Sequence, residues 1–385
     1  MHKIDAADEA QLFTTIDRWV AREVAPRVKE FDHADKWPAE IVEQMKELGL
    51  FGATVSPEYG GLGLPAATYA KIVMKISSVW MAITGIFNSH LMLALAVEKF
   101  GTEPQRRHWL PKFASGDVRG GLALTEPNAG TDLQAIRMTA RRDRGDYVIN
   151  GTKTWISNGI EGSCFALLVK TNPEASPRYS GMSLFIAPKG PGFTTGRKLE
   201  KLGYKSIDSG ELIFQDYRIP ADHLIGEVEG RGFTQVAGGL ELGRINVAAR
   251  GVGIAEGALR LATDYAQLRQ TFGKPIIEHQ AIATKIGEMA TRARAARLLT
   301  LDAAGAFDRG ERCDMQAGMA KYFASEAALE NSTESMRIHG AYGYSKEYDI
   351  ERLYRDAQLT CIGEGTNEMQ KLIIARQWAR HSGSI

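Results

Sequence analysis

A single carboxylate held between two glycines is the residue in this chain whose setting most resembles chemistry. Near the C-terminus the run Cys361, Ile362, Gly363, Glu364, Gly365, Thr366, Asn367, Glu368, Met369, Gln370 precedes an apolar helical stretch at Leu372, Ile373 and Ile374. Glycines on both sides of Glu364 remove the Cβ atoms that would block a ligand and permit backbone angles other residues avoid. A carboxylate presented in this way can act as a base. The same residues also read as a capped helix start, with Glu364 or Thr366 accepting from the first free amides.

Three further stretches could hold a ligand. The loop Leu122, Ala123, Leu124, Thr125, Glu126, Pro127, Asn128, Ala129, Gly130, Thr131, Asp132 is dense in hydroxyls and backbone N–H groups, which suits a polar cofactor lodged between domains. An interdomain loop shaped by Pro127 and Gly130 is the plainer reading. Trp155 and Ser157 alternate on an expected strand and so share a face, offering an aromatic wall and a hydroxyl donor; a tryptophan anchoring a sheet accounts for them equally. Arg269, Gln270, Thr271, Phe272 and Gly273 close an expected helix, with Gln280 beyond. A guanidinium and a hydroxyl beside an aromatic ring can hold a pyrophosphate, although an arginine at a helix C-terminus is also a routine dipole partner. Gly251, Gly253 and Gly257 depart from the dinucleotide fingerprint, follow no strand and lie in a helical pattern, so they are expected to serve close helix packing. No P-loop, GxSxG or HExxH is present. Asn88 and His90, inside an apolar helix, are read as core groups without a role.

The elements that must position these residues fall into three regions. Helical spacing of Leu12, Ile16, Trp19, Val20 and Val24 predicts a helix from Glu9 to about Phe31, then helices over Pro38 to Leu48 and Pro65 to Phe100. Around Gly120 the period changes toward two. Short strands are expected at Tyr147 to Ile149, Thr154 to Ser157, Phe165 to Val169, Ser183 to Ile186 and Glu211 to Phe214, with Asn150-Gly151 as a type I′ hairpin turn joining the first pair. From Gly232 the chain returns to helix. Leu261, Tyr265, Leu268 and Phe272 fit one face, and further helices are expected at His279 to Arg309, Asp314 to His339 and Asp349 to Thr360. The fold class is α+β and mostly α: an N-terminal helical domain (1–120), a central β-barrel or sandwich-like domain (121–231) and a C-terminal four-helix bundle (232–385).

Composition narrows the partners. Lys and Arg number 47 against 46 Asp and Glu, which gives no electrostatic case for nucleic acid or an anionic membrane. Cys164, Cys313 and Cys361 are scattered, without zinc or disulfide spacing, so no metal is expected. The first residues lack an apolar signal region and no run of apolar residues reaches membrane-spanning length, from which a cytoplasmic location is expected.

Taken in order, these stretches resemble the acyl-CoA dehydrogenase family of flavoproteins across nearly the whole chain. TEPNAGTD is similar to the family's TEPxxGSD loop, INGTKTWISNG to its strand signature, ELIFQDYRIP to the exit of its β region, RQTFG with HQ to its cofactor arm and IGEGTNEMQ to its base-bearing segment. The resemblance implies FAD as cofactor and an acyl-CoA substrate. It makes Glu364 the base that removes the proton α to the thioester carbonyl while the β hydrogen leaves as hydride to flavin N5. Some members carry the base at the position of Gly243, which cannot serve here. Trp155, Ile156 and Ser157 would contact the isoalloxazine, and Leu122, Leu124, Thr125, Gly130 and Thr131 would line flavin and thioester. Arg269, Thr271, Phe272 and Gln280 would reach the flavin of a neighbouring subunit, implying a homotetramer built as a dimer of dimers. Glu241, Arg244, Gly365 and Thr131 match substrate positions, and Thr366 and Glu368 match positions on the flavin side.

This chain departs from the family pattern at three places. Arg337, Ile338, His339, Gly340 and Ala341 stand where the family often has Gln-x-x-Gly-Gly, leaving Arg337, Gly340 and Ala341 as the matching cofactor contacts. Gly363 replaces a common tyrosine before the base, implying room for a branched, cyclic or otherwise bulky short acyl group. Ala82 stands near where members acting on dicarboxylyl-CoA have an arginine, which weighs against a glutaryl-type substrate. The implied activity is α,β-dehydrogenation of a short acyl-CoA, with an electron-transfer flavoprotein as acceptor. An oxidase or flavin monooxygenase of the same superfamily, a dehydrogenase acting on carrier-protein thioesters and a non-catalytic acyl-CoA binding protein are the alternatives.

Overall fold

The computed structural model describes residues 4–381. It opens with α1 (Ala6–Trp19), whose Asp5 carboxylate accepts from the Ala7 amide at 2.6 Å and so caps the helix. The single helix expected to Phe31 is divided. A π-helical turn spans Val20–Val24, and α2 (Val28–Ala34) and α3 (Ala39–Glu47) follow. The apolar α4 (Ala66–Phe100) is interrupted at Trp80, where φ −149° and ψ 95° leave the helical region. By length and composition α4 could cross a membrane, contrary to the expectation drawn from the sequence, yet most of it is buried inside the protein. After α5 (Glu103–Ala114), at whose start Gln105 Oε1 accepts from the Thr102 amide at 2.9 Å, the chain enters the β region.

That region is one curled seven-stranded sheet in the order β1 (Gly120–Ala123), β4 (Cys164–Lys170), β2 (Thr139–Asp143), β3 (Asp146–Ser157), β7 (Ser209–Pro220), β6 (Phe193–Lys198), with β5 (Met182–Pro188) paired to β4. The expected Asn150-Gly151 hairpin does not exist. Both residues lie inside the continuous strand β3, and the two-residue turn sits instead at Arg144-Gly145, where Asp143 pairs Asp146. Gly151, at φ 139°, takes a bulge against β7, and Asn150 exchanges hydrogen bonds with Asp216 across it (Asp216 N to Oδ1 2.8 Å, Nδ2 to Asp216 Oδ1 3.2 Å).

The C-terminal region holds α6 (Gly232–Ala237), α7 (Leu240–Leu268), α8 (Gln280–Asp308), α9 (Asp314–His339), α10 (Ile350–Ile362) and α11 (Asn367–His381). The small hairpin β8 (Gln270–Thr271) and β9 (Lys274–Pro275) joins α7 to α8. Phe272 is therefore not on the helical face its spacing suggested; it tips the hairpin turn at φ 50°, followed by Gly273 at φ 78°. The expected helix packing of the α7 glycines holds. A Cβ on Gly251 would stand 2.7 Å from the Ala324 carbonyl oxygen of α9, and one on Gly253 2.5 Å from that of Met74 in α4. Only glycine lets α7 approach both neighbours so closely.

Candidate active site

Glu364 occupies the turn between α10 and α11. Its own φ is 54° and that of Gly365 is 84°, so two successive residues are left-handed, and the turn projects the carboxylate toward α7. There Gly243 meets it: a Cβ at Gly243 would lie 3.1 Å from Glu364 Oε2 and 3.5 Å from Met92 Cε. Glu364 and the position at which some members of the resembled family carry the base thus face one another. Glu364 keeps access to solvent through the cleft. The protein packed around its carboxyl nevertheless pushes its pKa above the usual carboxylate range, against the opposing pull of Arg250, Arg244 and Lys321.

Residues the sequence reading passed over hold the Glu364 turn in place. Lys321 of α9, buried among alanines, donates to the Cys361 carbonyl at 3.2 Å and to Asn367 Oδ1 at 2.9 Å, and burial lowers its pKa to about 8. Asn367 in turn donates to Glu326 at 2.8 Å, and Gln370 Nε2 reaches the Gly365 carbonyl at 3.1 Å. Thr366 Oγ1 accepts from the Met369 amide at 3.4 Å, so the capping expected of Thr366 is present beside Glu364. Glu368 is exposed in the first turn of α11. Lysine in an alanine-rich helix was the one signal available for Lys321, and it gives no direction without the packing.

On the β side, Trp155 is 58% exposed at φ 60° and Ser157 is half-buried, flanking a buried Ile156. Trp155 itself lies in the register shift between Lys153 and Ile156, so the alternation from which a face shared with Ser157 was expected is interrupted at this residue. A bulky residue at positive φ is an uncommon conformation, and such strain concentrates at functional sites. Beneath it Lys153, fully buried, donates to Glu126 Oε1 and to the Leu124 carbonyl, both at 2.9 Å. Glu126 also accepts from the Arg137 and Met138 amides (2.6 and 3.1 Å), and the Thr125 carbonyl takes the Thr154 amide at 2.9 Å. The Leu122 to Thr131 loop is thereby fastened to β3 next to Trp155. Leu122, Leu124 and Thr125 are half-buried there, while Gly130 and Thr131 stay exposed, with nothing within 4 Å of a Cβ placed on Gly130.

The residues expected at the cofactor arm and at the end of α9 lie apart from Glu364, whereas Arg244 and Glu241 flank Gly243. Arg269, Phe272 and Gln280 are exposed and Thr271 half-buried at the far end of α7, roughly 39 Å along its axis from Gly243. The Thr271 hydroxyl is 3.0 Å from His279 Nε2. Arg337, Gly340 and Ala341 are exposed at the end of α9, with Arg337 paired to Glu334 at 2.5 Å. Arg244 pairs Asp314 at 3.1 Å and Glu241 accepts from the Cys313 amide at 3.0 Å, so both fasten α7 to the start of α9. One trio of possible metal ligands, Asp32, His33 and Glu351, is present among the described residues. Arg355 fills it, donating to Asp32 at 2.5 Å and Glu351 at 2.7 Å.

Sequence models of the N-terminal, middle and C-terminal domains of acyl-CoA dehydrogenase match residues 6–117, 121–217 and 230–379. An acyl-CoA dehydrogenase of Bacillus subtilis (strain 168) is 41% identical over 92% of this chain and 93% of its own. The (2S)-methylsuccinyl-CoA dehydrogenase of Cereibacter sphaeroides is 36% identical over 94% of this chain and 67% of its own. The structure of butyryl-CoA dehydrogenase from Megasphaera elsdenii superposes with a TM-score of 0.94 at 34% identity, covering 99% of this chain and 100% of that one. The protein is an oxidoreductase of the flavoprotein class. More particularly, the chain belongs to the acyl-CoA dehydrogenase family.

Proposed function

We propose that the protein oxidises a short acyl-CoA, branched or cyclic rather than long and linear, to the 2-enoyl-CoA, with Glu364 as the base. The observation that carries this reading is the Glu364 carboxyl turned toward Gly243 in a cleft whose protein walls raise its pKa. A base for a weakly acidic C–H works best when its pKa approaches the working pH. Gly363 and Gly243 leave the space beside the reacting carbons free of side chains, which favours a bulky acyl group.

The cofactor we assign is FAD, which when bound supplies the acceptor for the β hydrogen as hydride. The residues fit such a group: an exposed indole at positive φ, the adjacent Ser157 hydroxyl, and a polar loop whose Gly130 leaves room for close approach. Trp155, Ile156, Ser157, Leu122, Leu124, Thr125, Gly130 and Thr131 would hold it from the β side, with Thr366 and Glu368 opposite. Arg269, Thr271, Phe272 and Gln280, too far away in their own chain, would complete the site of a neighbouring subunit in a homotetramer, with Arg337, Gly340 and Ala341 adding contacts. Thr131, Glu241, Arg244 and Gly365 would meet the acyl-CoA, and an electron-transfer flavoprotein would take the electrons in the cytoplasm. The test is anaerobic addition of butyryl-CoA, isobutyryl-CoA and cyclohexanecarbonyl-CoA to the purified yellow protein. The branched or cyclic thioesters are expected to reduce the flavin at least as well as butyryl-CoA; a strong preference for butyryl-CoA would refute the substrate assignment.

A further inference from the structure

The half of α4 beyond Trp80 runs antiparallel to α7, and two contacts fix its register: Gly243 lies against Met92, and Gly85 and Arg250 both meet the Tyr204 hydroxyl. Between those points Asn246 is level with Asn88, and Arg250 with Gly85. The Tyr204 hydroxyl marks the same level. It stands 1.5 Å from where a Gly85 Cβ would be and accepts from Arg250 Nη1 at 3.3 Å.

The polar groups at this level are orphaned. Asn88 and Asn246 are 1% and 2% exposed, and neither the amide oxygen nor the amide nitrogen of either has a partner. Arg250 Nε and the Tyr69 hydroxyl are likewise buried and unpaired. Among the described residues Arg250 donates to Tyr204 and pairs with no acid. Native proteins pair nearly all such groups, so a cluster of them asks for a ligand. Arg250 lies on the same face of α7 as Gly243 and about 10 Å further along the axis, a span that a short acyl chain and an extended arginine side chain bridge together.

We propose that this chamber receives the distal end of the acyl group and that Arg250, with Asn88 and Asn246, selects a short acyl-CoA ending in a carboxylate. Arg250 presents a planar, permanently charged donor fork suited to a carboxylate; the two amides and Tyr69 add neutral donors. The arginine absent at Ala82 is thus supplied from the opposite helix. Position 82 is itself buried, which makes it a poor place for one. A second effect follows from charge. Arg250 is the foremost of the cations that hold Glu364 down, so a substrate carboxylate that neutralises it lets the base rise toward the pKa its task requires.

The proposal rests on the dehydrogenase reading above, and matched thioesters separate the two. Butyryl-CoA is compared with succinyl-CoA, and 2-methylbutyryl-CoA with 2-methylsuccinyl-CoA, each pair exchanging a methyl for a carboxylate. Binding to the holoenzyme is measured by calorimetry and kcat/KM by flavin reduction. The carboxylate member of at least one pair is expected to be preferred, and Arg250→Met to cut that preference by about 100-fold, mainly through KM. Should Arg250→Met fold poorly, the isosteric Asn88→Asp is expected to repel the carboxylate and reverse the preference. Preference for the methyl member in both pairs, or a ratio indifferent to both variants, would mean that the chamber holds only water and would overturn the proposal. Failure of every thioester to reduce the flavin would overturn the dehydrogenase reading itself.

Discussion

At Glu364 burial raises the carboxyl pKa against the pull of Arg250, Arg244 and Lys321, which bears on pH dependence in its proposed role as base. A carboxylate proposed as base must be ionised to accept a proton, and the pKa of Glu364 is raised, so kcat/KM is expected to climb with pH through a midpoint above the ordinary carboxylate range. Removing an opposing cation raises that pKa further. Lys321→Met is therefore expected to move the acid limb to higher pH and, by freeing the Glu364 turn, to lower kcat; a pH profile of flavin reduction reads both. Beneath Trp155, Lys153→Met strands the Glu126 carboxylate in a buried site and is expected to cost about 3–5 kcal/mol. Glu126→Gln added to it should restore much of the loss in urea unfolding, because glutamine keeps an acceptor for the Arg137 and Met138 amides. Glu364 was legible in the sequence because glycines announce unusual backbone angles. Lys321, Lys153 and Arg250 were not, since a cation seen in sequence alone shows neither its partner nor its direction. The apolar setting of Asn88 predicts a core group, and it is buried, but neither end of its amide has a partner.

The same contrast holds among the elements. Long helices were visible because their apolar spacing repeats over many turns, and α8, α9 and α10 lie within a few residues of where that spacing places them. The β region was harder. Asn150-Gly151 has the composition of a hairpin turn but sits mid-strand, where glycine is required for the bulge against β7 rather than for a chain reversal. Arg144 makes the real turn at φ 60°, a conformation its residue type does not advertise. β1, β2 and β6 went unread, being short strands whose pairing, not their own composition, defines them. For α7 the glycines carry the packing. Gly253→Leu forces a side chain into the Met74 carbonyl and is expected to destabilise the protein by about 1–3 kcal/mol or more, measured by denaturant midpoint. An unchanged midpoint would show that α4 yields at its Trp80 kink.

For the whole molecule, the exposed aromatic surface is informative. Phe272 is 97% exposed at a hairpin tip and Trp155 is open in the cleft, so each lacks the apolar neighbour that such rings ordinarily gain. Assembly that brings the hairpin of one subunit to the cleft of another would cover both. Phe272→Ser is then expected to lower the assembly mass in light scattering and to release FAD on gel filtration, whereas a tetramer with full flavin content would assign the hairpin to neither role. The most direct measurement is anaerobic reduction of the flavin by the preferred acyl-CoA in the unsubstituted protein and in Glu364→Gln. Rapid bleaching in the first and its loss by several orders of magnitude in the second, with flavin content and thioester affinity retained, is the expected result. Bleaching at a similar rate in Glu364→Gln would contradict Glu364 as the base and turn attention to the oxidase or monooxygenase chemistry of the superfamily.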